Sequence, residues 1–104
     1  MRAALPLVAA LALAAGGCSE SGLSPSAERG RQVYLAQCIV CHSTDPGQPG
    51  SLGPPVKGSS RALLEAKVLH GTYPPGYTPK RPSTVMVPLP AVAPDIGALA
   101  DYLR

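Results

Sequence analysis

Apolar residues recur at helical spacing after residue 24, and they predict a first helix. Ser24 suits the N-cap position, and Pro25 suits the first helical position because a donor N–H is not needed there. The helix should therefore begin at Pro25 and end at about Gln37. Its apolar face would consist of these residues: Ala27, Gly30, Val33, Tyr34 and either Gln37 or Cys38.

A second helix is predicted from residue 59 or 60 to about His70. Either Ser59 or Ser60 would cap its start, and Gly71 lies just past its expected end, where glycine often terminates a helix. Its apolar residues are Leu63, Leu64, Ala66 and Val68. His70 would lie in the last turn, where a cationic side chain interacts favourably with the helix dipole.

A last helix is predicted to begin near Pro94 and Asp95. Apolar residues follow at i, i+3, i+4 and i+7, namely Ile96, Leu99, Ala100 and Leu103. Residues 43–58 and 73–90 are rich in proline and glycine, so we predict irregular loops there. A chain of 104 residues with this pattern indicates one small all-α domain with about three helices.

The first residues have the pattern of a targeting signal. Arg2 supplies a positive charge, and residues 3–17 carry no charge and are mostly Ala, Leu, Val and Gly. This run is shorter than the roughly 20 apolar residues that a membrane span needs. Its end resembles a bacterial lipoprotein cleavage site, in which the cysteine takes the lipid: Ala14-Ala15-Gly16-Gly17-Cys18.

We therefore interpret residues 1–17 as a lipoprotein-type signal peptide, residues 18–24 as a flexible tether and residues 25–104 as the folded domain. A lipid on Cys18 would make this an exported protein, anchored to a membrane on the periplasmic or outer-surface side. Ordinary cleavage at a nearby residue and an uncleaved N-terminal anchor are the alternatives.

The composition indicates a thin protein core. The chain has no Trp, no Phe and only 4 Tyr, but it has 13 Pro and 11 Gly. A small domain built from such residues buries little apolar surface, and a bound apolar cofactor would supply the missing core. The net charge of +3 comes without a run of basic residues, which argues against a nucleic-acid partner.

The residues after the first predicted helix form the attachment motif for a c-type haem, Cys38-Ile39-Val40-Cys41-His42. Two thiols three positions apart can add to the two vinyl groups of one porphyrin, and the next residue, His42, becomes the proximal iron ligand. A redox Cys-x-x-Cys site needs no following histidine, and a zinc site needs about four ligands. The motif therefore favours one covalent haem.

A buried haem iron also needs a second axial ligand. After residue 17 the only methionine is Met86, and a thioether ligand raises the reduction potential of the iron. We predict that His42 and Met86 hold the iron. His70 is a competing ligand, an open sixth position is another possibility, and Met86 could instead fill a gap in the core.

The chain from about Ser24 to Arg104 resembles the single-haem class I cytochrome c family. The chain departs from the usual family pattern at two points. Val87 separates Met86 from Pro88, and the Trp usual near the haem propionates is absent. The candidates for propionate contacts are then Tyr73, Tyr77, Lys80 and Arg81. The resemblance depends on Gly30-Arg31-Gln32-Val33-Tyr34, Cys38 to His42, Gly53-Pro54-Pro55-Val56-Lys57-Gly58, and Met86 followed by Leu99-Ala100-Asp101-Tyr102-Leu103.

The resemblance implies the small cytochrome c fold, in which three helices and their loops surround one covalent haem. It implies that Gly30 lets the first and last helices cross closely, with Tyr34 and Tyr102 packed at the crossing. It also implies that the carbonyl of Pro54 accepts a hydrogen bond from the ligand histidine and that Leu99 faces the haem. The cofactor-binding residues would be Cys38, Cys41, His42, Pro54, Val56, Met86 and Leu99.

These features predict an electron-transfer protein rather than an enzyme, because an iron with both axial positions filled has no position for a substrate. Its partners would be redox proteins, such as a respiratory complex or an oxidase, which meet through small transient interfaces. A haem sensor or a small-ligand enzyme such as a peroxidase would need an open or exchangeable sixth position. A dedicated subunit of a larger oxidoreductase is a third possibility.

Overall fold

The computed structural model describes residues 2–4 and 22–104. Within this part the structure has three α-helices and no strand, so the predicted all-α class with about three helices and long loops is confirmed. No helix in the described part is long and apolar enough to cross a membrane. Cys18 and most of the predicted signal peptide and tether lie outside the described residues, so the predicted domain boundaries stay a prediction.

Helix α1 spans Pro25–Gln37, as predicted. The hydroxyl of Ser24 caps its start by accepting a hydrogen bond from the backbone N–H of Ala27 at 3.1 Å. At the other end, the backbone N–H of Cys38 donates to the carbonyl of Tyr34 at 2.9 Å. The buried face of α1 consists of Ala27, Gly30, Val33 and Tyr34.

Helix α2 spans Arg61–Leu64 and continues as a π-helical turn over Glu65–Leu69. The Ser60 hydroxyl caps its start by accepting from the backbone N–H of Leu63 at 3.1 Å. The chain leaves the turn at His70, and Gly71 follows with a φ of +68°, a left-handed conformation that glycine adopts without strain. The predicted ends of this helix are confirmed. Its second half is a π-helical turn, which is wider than the α-helix that the spacing of apolar residues predicted.

Helix α3 spans Ile96–Leu103 and is preceded by a 3-10 segment over Pro90–Asp95. The sequence predicted an irregular chain up to about Pro90 and did not predict this segment. Short 3-10 stretches are common before α-helices, and Pro90 suits the first position of one because no backbone N–H is needed there. Pro94 lies inside the segment. The buried face of α3 consists of Ile96, Leu99 and Leu103.

Helices α1 and α3 cross in close contact at Gly30. A Cβ atom added to Gly30 would collide with the carbonyl of Ala98 and lie 2.8 Å from the Cβ of Tyr102. The rings of Tyr34 and Tyr102 pack beside this crossing with their centroids 5.6 Å apart. The close crossing implied by the family resemblance is therefore confirmed.

The hydrophobic core lies between α1, α2, the π-helical turn and α3. Its buried residues are Val33, Tyr34, Leu64, Val68, Val92, Ile96, Leu99 and Leu103. Several apolar side chains border this cluster without being fully buried, and these include Cys38, Val56 and Met86. Three of the predicted site residues therefore lie at the partly exposed edge of the core.

Candidate haem-attachment site

The attachment motif folds as a tight turn directly after α1. The backbone N–H of Cys41 donates to the carbonyl of Cys38 at 3.3 Å, and that of His42 donates to the same oxygen at 2.9 Å. Both cysteines are free and half-buried. The turn therefore presents two thiols and one imidazole on consecutive residues of one short segment.

A loop folds back onto this turn and holds it from the other side. The carbonyl of Cys41 accepts hydrogen bonds from the backbone N–H groups of Leu52 at 3.1 Å and Gly53 at 2.9 Å. The N–H of Gly50 donates to the carbonyl of Gly53 at 2.9 Å. A Cβ added to Gly50 would lie 2.5 Å from the Cα of His42, so the loop can come this close only because residue 50 has no side chain.

The imidazole of His42 is oriented by backbone atoms. Its Nδ1 lies 3.0 Å from the carbonyl oxygen of Pro54, and since that oxygen can only accept, Nδ1 carries the proton. Gly53 lies against the ring, where an added Cβ would come within 2.9 Å of Nε2 and still closer to the other ring atoms. Nε2 is then unprotonated in the neutral ring, the form in which imidazole ligates a metal.

Tyr34 connects α1 to the segment that follows the histidine. Its hydroxyl donates to the backbone carbonyl of Ser43, and only 1% of its surface is exposed. Burial raises the pKa of Tyr34 to about 12, because the charged phenolate would lose its hydration. Burial also raises the pKa of the Cys38 thiol to about 11, so this thiol is protonated at neutral pH.

The other predicted site residues lie at the edge of the core or inside it. Val56 and Met86 are half-buried and pack against the core cluster, whereas Leu99 is 2% exposed and belongs to it. The thioether of Met86 is carried by the loop between the π-helical turn and the 3-10 segment. Backbone hydrogen bonding holds this loop, since the N–H of Leu89 donates to the carbonyl of Val68 at 2.6 Å.

His70, the competing iron ligand, lies at the surface. His70 is exposed at the end of the π-helical turn, and its backbone N–H donates to the carbonyls of Ala66 and Lys67. Within the described residues, no group of three or more His, Cys, Asp or Glu side chains could hold a metal ion. Cys18, the predicted lipidation site, lies outside the described residues.

The residues present fit a covalently attached haem. The site offers two free thiols, one imidazole with Nδ1 hydrogen-bonded, and a thioether, and Cys38 and Met86 border the apolar core. The donors needed for attachment and for axial ligation are therefore available, and the apolar border suits a porphyrin.

Sequence reasoning missed several contacts around the site. It did not identify the close approach of Gly50 and Gly53 to His42, because the glycine–proline pairs of this loop indicate only turns. It also missed the bond from the Lys80 ammonium to the carbonyl of Pro55 at 2.7 Å. No local pattern indicates that contact, because the two residues are 25 positions apart.

Two aromatic residues of the Met86 loop stack on each other. The ring centroids of Tyr73 and Tyr77 are 5.4 Å apart with nearly parallel planes, and the Lys67 ammonium lies 4.5 Å from the centroid of Tyr73. Cation–π attraction of this kind holds the start of the loop against the π-helical turn. The sequence suggests these tyrosines only as candidates for propionate contacts and does not predict that their rings stack.

Comparison with known proteins gives one informative match. The chain is similar to the protein named "Cytochrome c-553-like" of Synechocystis sp. (strain ATCC 27184 / PCC 6803 / Kazusa), with 31% identity over 82 residues. The matched stretch covers 79% of this chain and 68% of the relative. No protein-family model matches the chain, and no solved structure does. On its fold, its site and this relationship, the chain belongs to the family of small c-type cytochromes.

Proposed function

We propose that this protein transfers electrons through one haem c, bound covalently at Cys38 and Cys41, with the iron held by His42 and Met86. The name of the Synechocystis relative and the membership in the small c-type cytochromes support an electron carrier rather than an enzyme. The bound haem would supply a ferric/ferrous couple. The residues of the chain would attach it, orient the ligands and keep water away.

One observation carries the proposal: His42 immediately follows two free thiols and has its Nδ1 bonded to the Pro54 carbonyl. This bond fixes the ring and leaves Nε2 as the metal-binding nitrogen. It also makes the imidazole a better donor, because the carbonyl stabilises positive charge on the ring. The position of His42 after the two cysteines and the tautomer of its ring both suit a proximal iron ligand.

Met86 is proposed as the second ligand because it is the methionine that borders the apolar core at the site. A neutral thioether favours ferrous iron and raises the potential, which suits an electron carrier. His70 is exposed at the end of the π-helical turn, so using it would require the chain to rearrange there.

The attachment is tested by haem analysis of the purified holoprotein. We expect one haem per chain that stays with the protein through acid–acetone extraction, and loss of most holoprotein in Cys38→Ala or Cys41→Ala. A double Cys38→Ala/Cys41→Ala variant that keeps its haem through the extraction would refute covalent attachment.

The axial ligand is tested with Met86→Ala and a matched His70→Ala control. We expect Met86→Ala to lose the weak long-wavelength charge-transfer band that a methionine–iron bond gives in the oxidised protein, to lower the potential, and to bind cyanide or carbon monoxide readily. His70→Ala should behave as the wild type. Fast binding of carbon monoxide by the reduced wild type would instead favour a sensor or a small-ligand enzyme.

We further propose that the protein is exported, carries a lipid on Cys18 and works at a membrane surface with redox proteins such as a respiratory complex or an oxidase. The small-residue run that ends at Cys18 supports this proposal. Mass spectrometry of the mature N-terminus should find a modified Cys18 as the first residue. An unmodified N-terminus at another residue would refute the lipid, and copurification from detergent-solubilised membranes would identify the partner.

A further inference from the structure

Helices α1, α2 and α3 meet around an open cleft of about 490 Å³. We call it the arginine cleft, because three arginines line it together with two carboxylates. These charged residues are Arg29, Arg61, Arg104, Asp95 and Asp101. The other lining residues are small and uncharged, so the charged groups border a hollow that a ligand can enter.

The three arginines come from three different helical regions. Arg29 lies on α1, Arg61 begins α2, and Arg104 directly follows α3. The guanidinium of Arg61 reaches across to α3, since its Nη1 would lie 3.5 Å from a Cβ added to Gly97. Only the folded chain therefore brings these cations together at one cleft.

Each arginine of the cleft has N–H donors that its ion pair does not use. A guanidinium carries five N–H groups. Arg29 uses two of its nitrogens, and Arg61 and Arg104 use one each. The acceptors of these bonds are the carboxylates of Asp95, Glu65 and Asp101, respectively.

The carboxylates of the cleft, by contrast, are engaged on both oxygens. Both oxygens of Asp95 accept from Arg29, at 3.1 and 3.3 Å. Those of Asp101 accept from the Ser26 hydroxyl at 2.7 Å and from Arg104 at 2.9 Å. Donors are thus in surplus, so the ligand that complements the cleft is an anion with several acceptor oxygens. A phosphate group has this chemistry and matches the planar fork of a guanidinium.

The arginine cleft lies at the end of the molecule where the proposed lipid anchor enters. Ser26, the second residue of α1, belongs to its lining. Seven positions separate Cys18 from Pro25, and a chain of that length spans at most about 25 Å. A lipid on Cys18 would therefore hold the cleft within reach of the membrane surface.

The candidate haem site lies elsewhere. On α3 the cleft residues alternate with those that face the core, Ile96, Leu99 and Leu103, so the helix separates the cleft from the core. Helix α1 has 13 residues and is about 20 Å long, and the attachment turn follows its far end. A membrane at the cleft would leave the attachment turn directed away from the lipid.

We infer that the arginine cleft binds the phosphate of a phospholipid headgroup and so sets the orientation of the domain on its membrane. The inference rests on the proposed lipid on Cys18 and adds a second membrane contact. A short tether raises the effective concentration of headgroups at the cleft to about millimolar, so even a weak phosphate site is filled. A basic patch combined with an acyl chain also holds a protein on a membrane more firmly than the chain alone.

The first test measures how fast phenylglyoxal modifies each arginine of the lipidated holoprotein, read by peptide mass spectrometry. Protein in vesicles of phosphatidylethanolamine and phosphatidylglycerol is compared with protein in dodecyl maltoside micelles, which carry no phosphate. In vesicles Arg29, Arg61 and Arg104 should react more slowly, on the order of fivefold. Arg31 and Arg81 do not line the cleft and should react equally in both, as internal controls.

The second test follows Arg104 in two double variants. In Arg29→Gln/Arg61→Gln the phosphate loses two of its ligands, so Arg104 in vesicles should react about as fast as in micelles. Arg31→Gln/Arg81→Gln removes two arginines outside the cleft, one of them ion-paired, and should leave Arg104 protected. Haem content and circular dichroism show whether the variants fold, and the measurement on the wild type does not depend on them.

The outcomes separate the inference from the anchor on which it rests. Equal rates in vesicles and micelles for a lipidated protein would overturn the inference alone, whether the cleft is empty or holds the tether or a second copy. The same protection in micelles by glycerol 3-phosphate, at the phosphate concentration of the vesicle sample, would assign the cleft to a free phosphate ester and also overturn it. A mature protein that carries no lipid and stays off the vesicles would refute the proposed anchor, and the inference with it.

Discussion

The backbone of Gly30 lies directly against the carbonyl group of Ala98, with no room for a side chain between helices α1 and α3. A Cβ on residue 30 would lie 2.6 Å from the carbonyl carbon of Ala98 and 2.8 Å from the Cβ of Tyr102. Both are well inside the ordinary contact distance between carbon atoms. Most of the partners in this contact are backbone atoms, so the helices must separate to admit a side chain.

Gly30→Ala should therefore destabilise the protein by about 2–4 kcal/mol, because overpacking forces a shift of the helices. Denaturant unfolding followed by circular dichroism measures the change. Gly97→Ala is the matched control on α3, since its Cβ would lie 3.5 Å from the Arg61 guanidinium, an ordinary contact. That variant should gain about 0.5–1 kcal/mol from the lower entropy of its unfolded chain. A neutral Gly30→Ala would show that the helices cross less closely.

The hydrogen bond between Tyr34 and Ser43 gives a prediction about pH. Burial raises the pKa of Tyr34 to about 12, so the neutral phenol is favoured in the folded protein. Its contribution to stability is fully present below about pH 10, the usual pKa of tyrosine, and is lost as the pH rises through about 12. Wild-type stability should therefore fall between these two values.

Tyr34→Phe should cost about 1–2 kcal/mol at neutral pH, since the Ser43 carbonyl loses its donor. The difference between wild type and variant should shrink as the pH rises from about 10 to about 12. Unfolding free energies at several pH values measure it. Tyr77→Phe, a tyrosine with no hydroxyl hydrogen bond in the described part, is the control. A difference that stays constant to pH 12 would contradict the assignment.

Gly53→Ala tests whether the close packing of Gly53 against the His42 ring holds the ring in position. The added Cβ would enter the space of the His42 ring, so the imidazole should turn away from the Pro54 carbonyl. We expect a several-fold lower yield of holoprotein and an altered visible spectrum in what remains. Gly47→Ala is the control, because its Cβ would meet only the flexible ends of Asp45 and Lys57, at 3.3 and 3.8 Å. Equal yields for the two variants would mean that Gly53 does not position the ring.

The cap on α2 can be tested with two substitutions at one position. Ser60→Ala removes the acceptor for the Leu63 N–H and should cost about 1 kcal/mol of unfolding free energy. Ser60→Asp keeps a side-chain acceptor and should stay close to the wild type. If both variants lose the same stability, the loss does not come from the cap.

The sequence predicts a helix well where its ends carry chemical signals. Ser24 and Pro25 mark the start of α1, and its predicted and observed bounds agree. The π-helical turn at Glu65–Leu69 carries no such signal, because its residues suit an α-helix equally well. The 3-10 segment over Pro90–Asp95 was missed for a similar reason, since two prolines within six residues indicate a loop as readily as a short helical turn.

The residues of the candidate site differ in the same way, since some can be predicted from local sequence and others cannot. Cys38, Cys41 and His42 are adjacent in sequence, so their spacing alone identifies the attachment motif. The contact between His42 and Pro54 followed from a family resemblance, since no local rule relates residues 12 positions apart. The pairing of Arg29 with Asp95 depends on three-dimensional proximity, so it becomes visible only when the chain is folded.

The orientation of His42 depends on main-chain atoms and on two residues without side chains, Gly50 and Gly53. In the same loop the side chain of Leu52 is 57% exposed, whereas the Ser51 hydroxyl donates to the carbonyl of Val40 in the attachment turn. The loop thus separates two properties that an engineer would want to vary independently. Substitutions of Leu52 would change the surface beside the attachment turn while leaving the histidine that would set the potential in place.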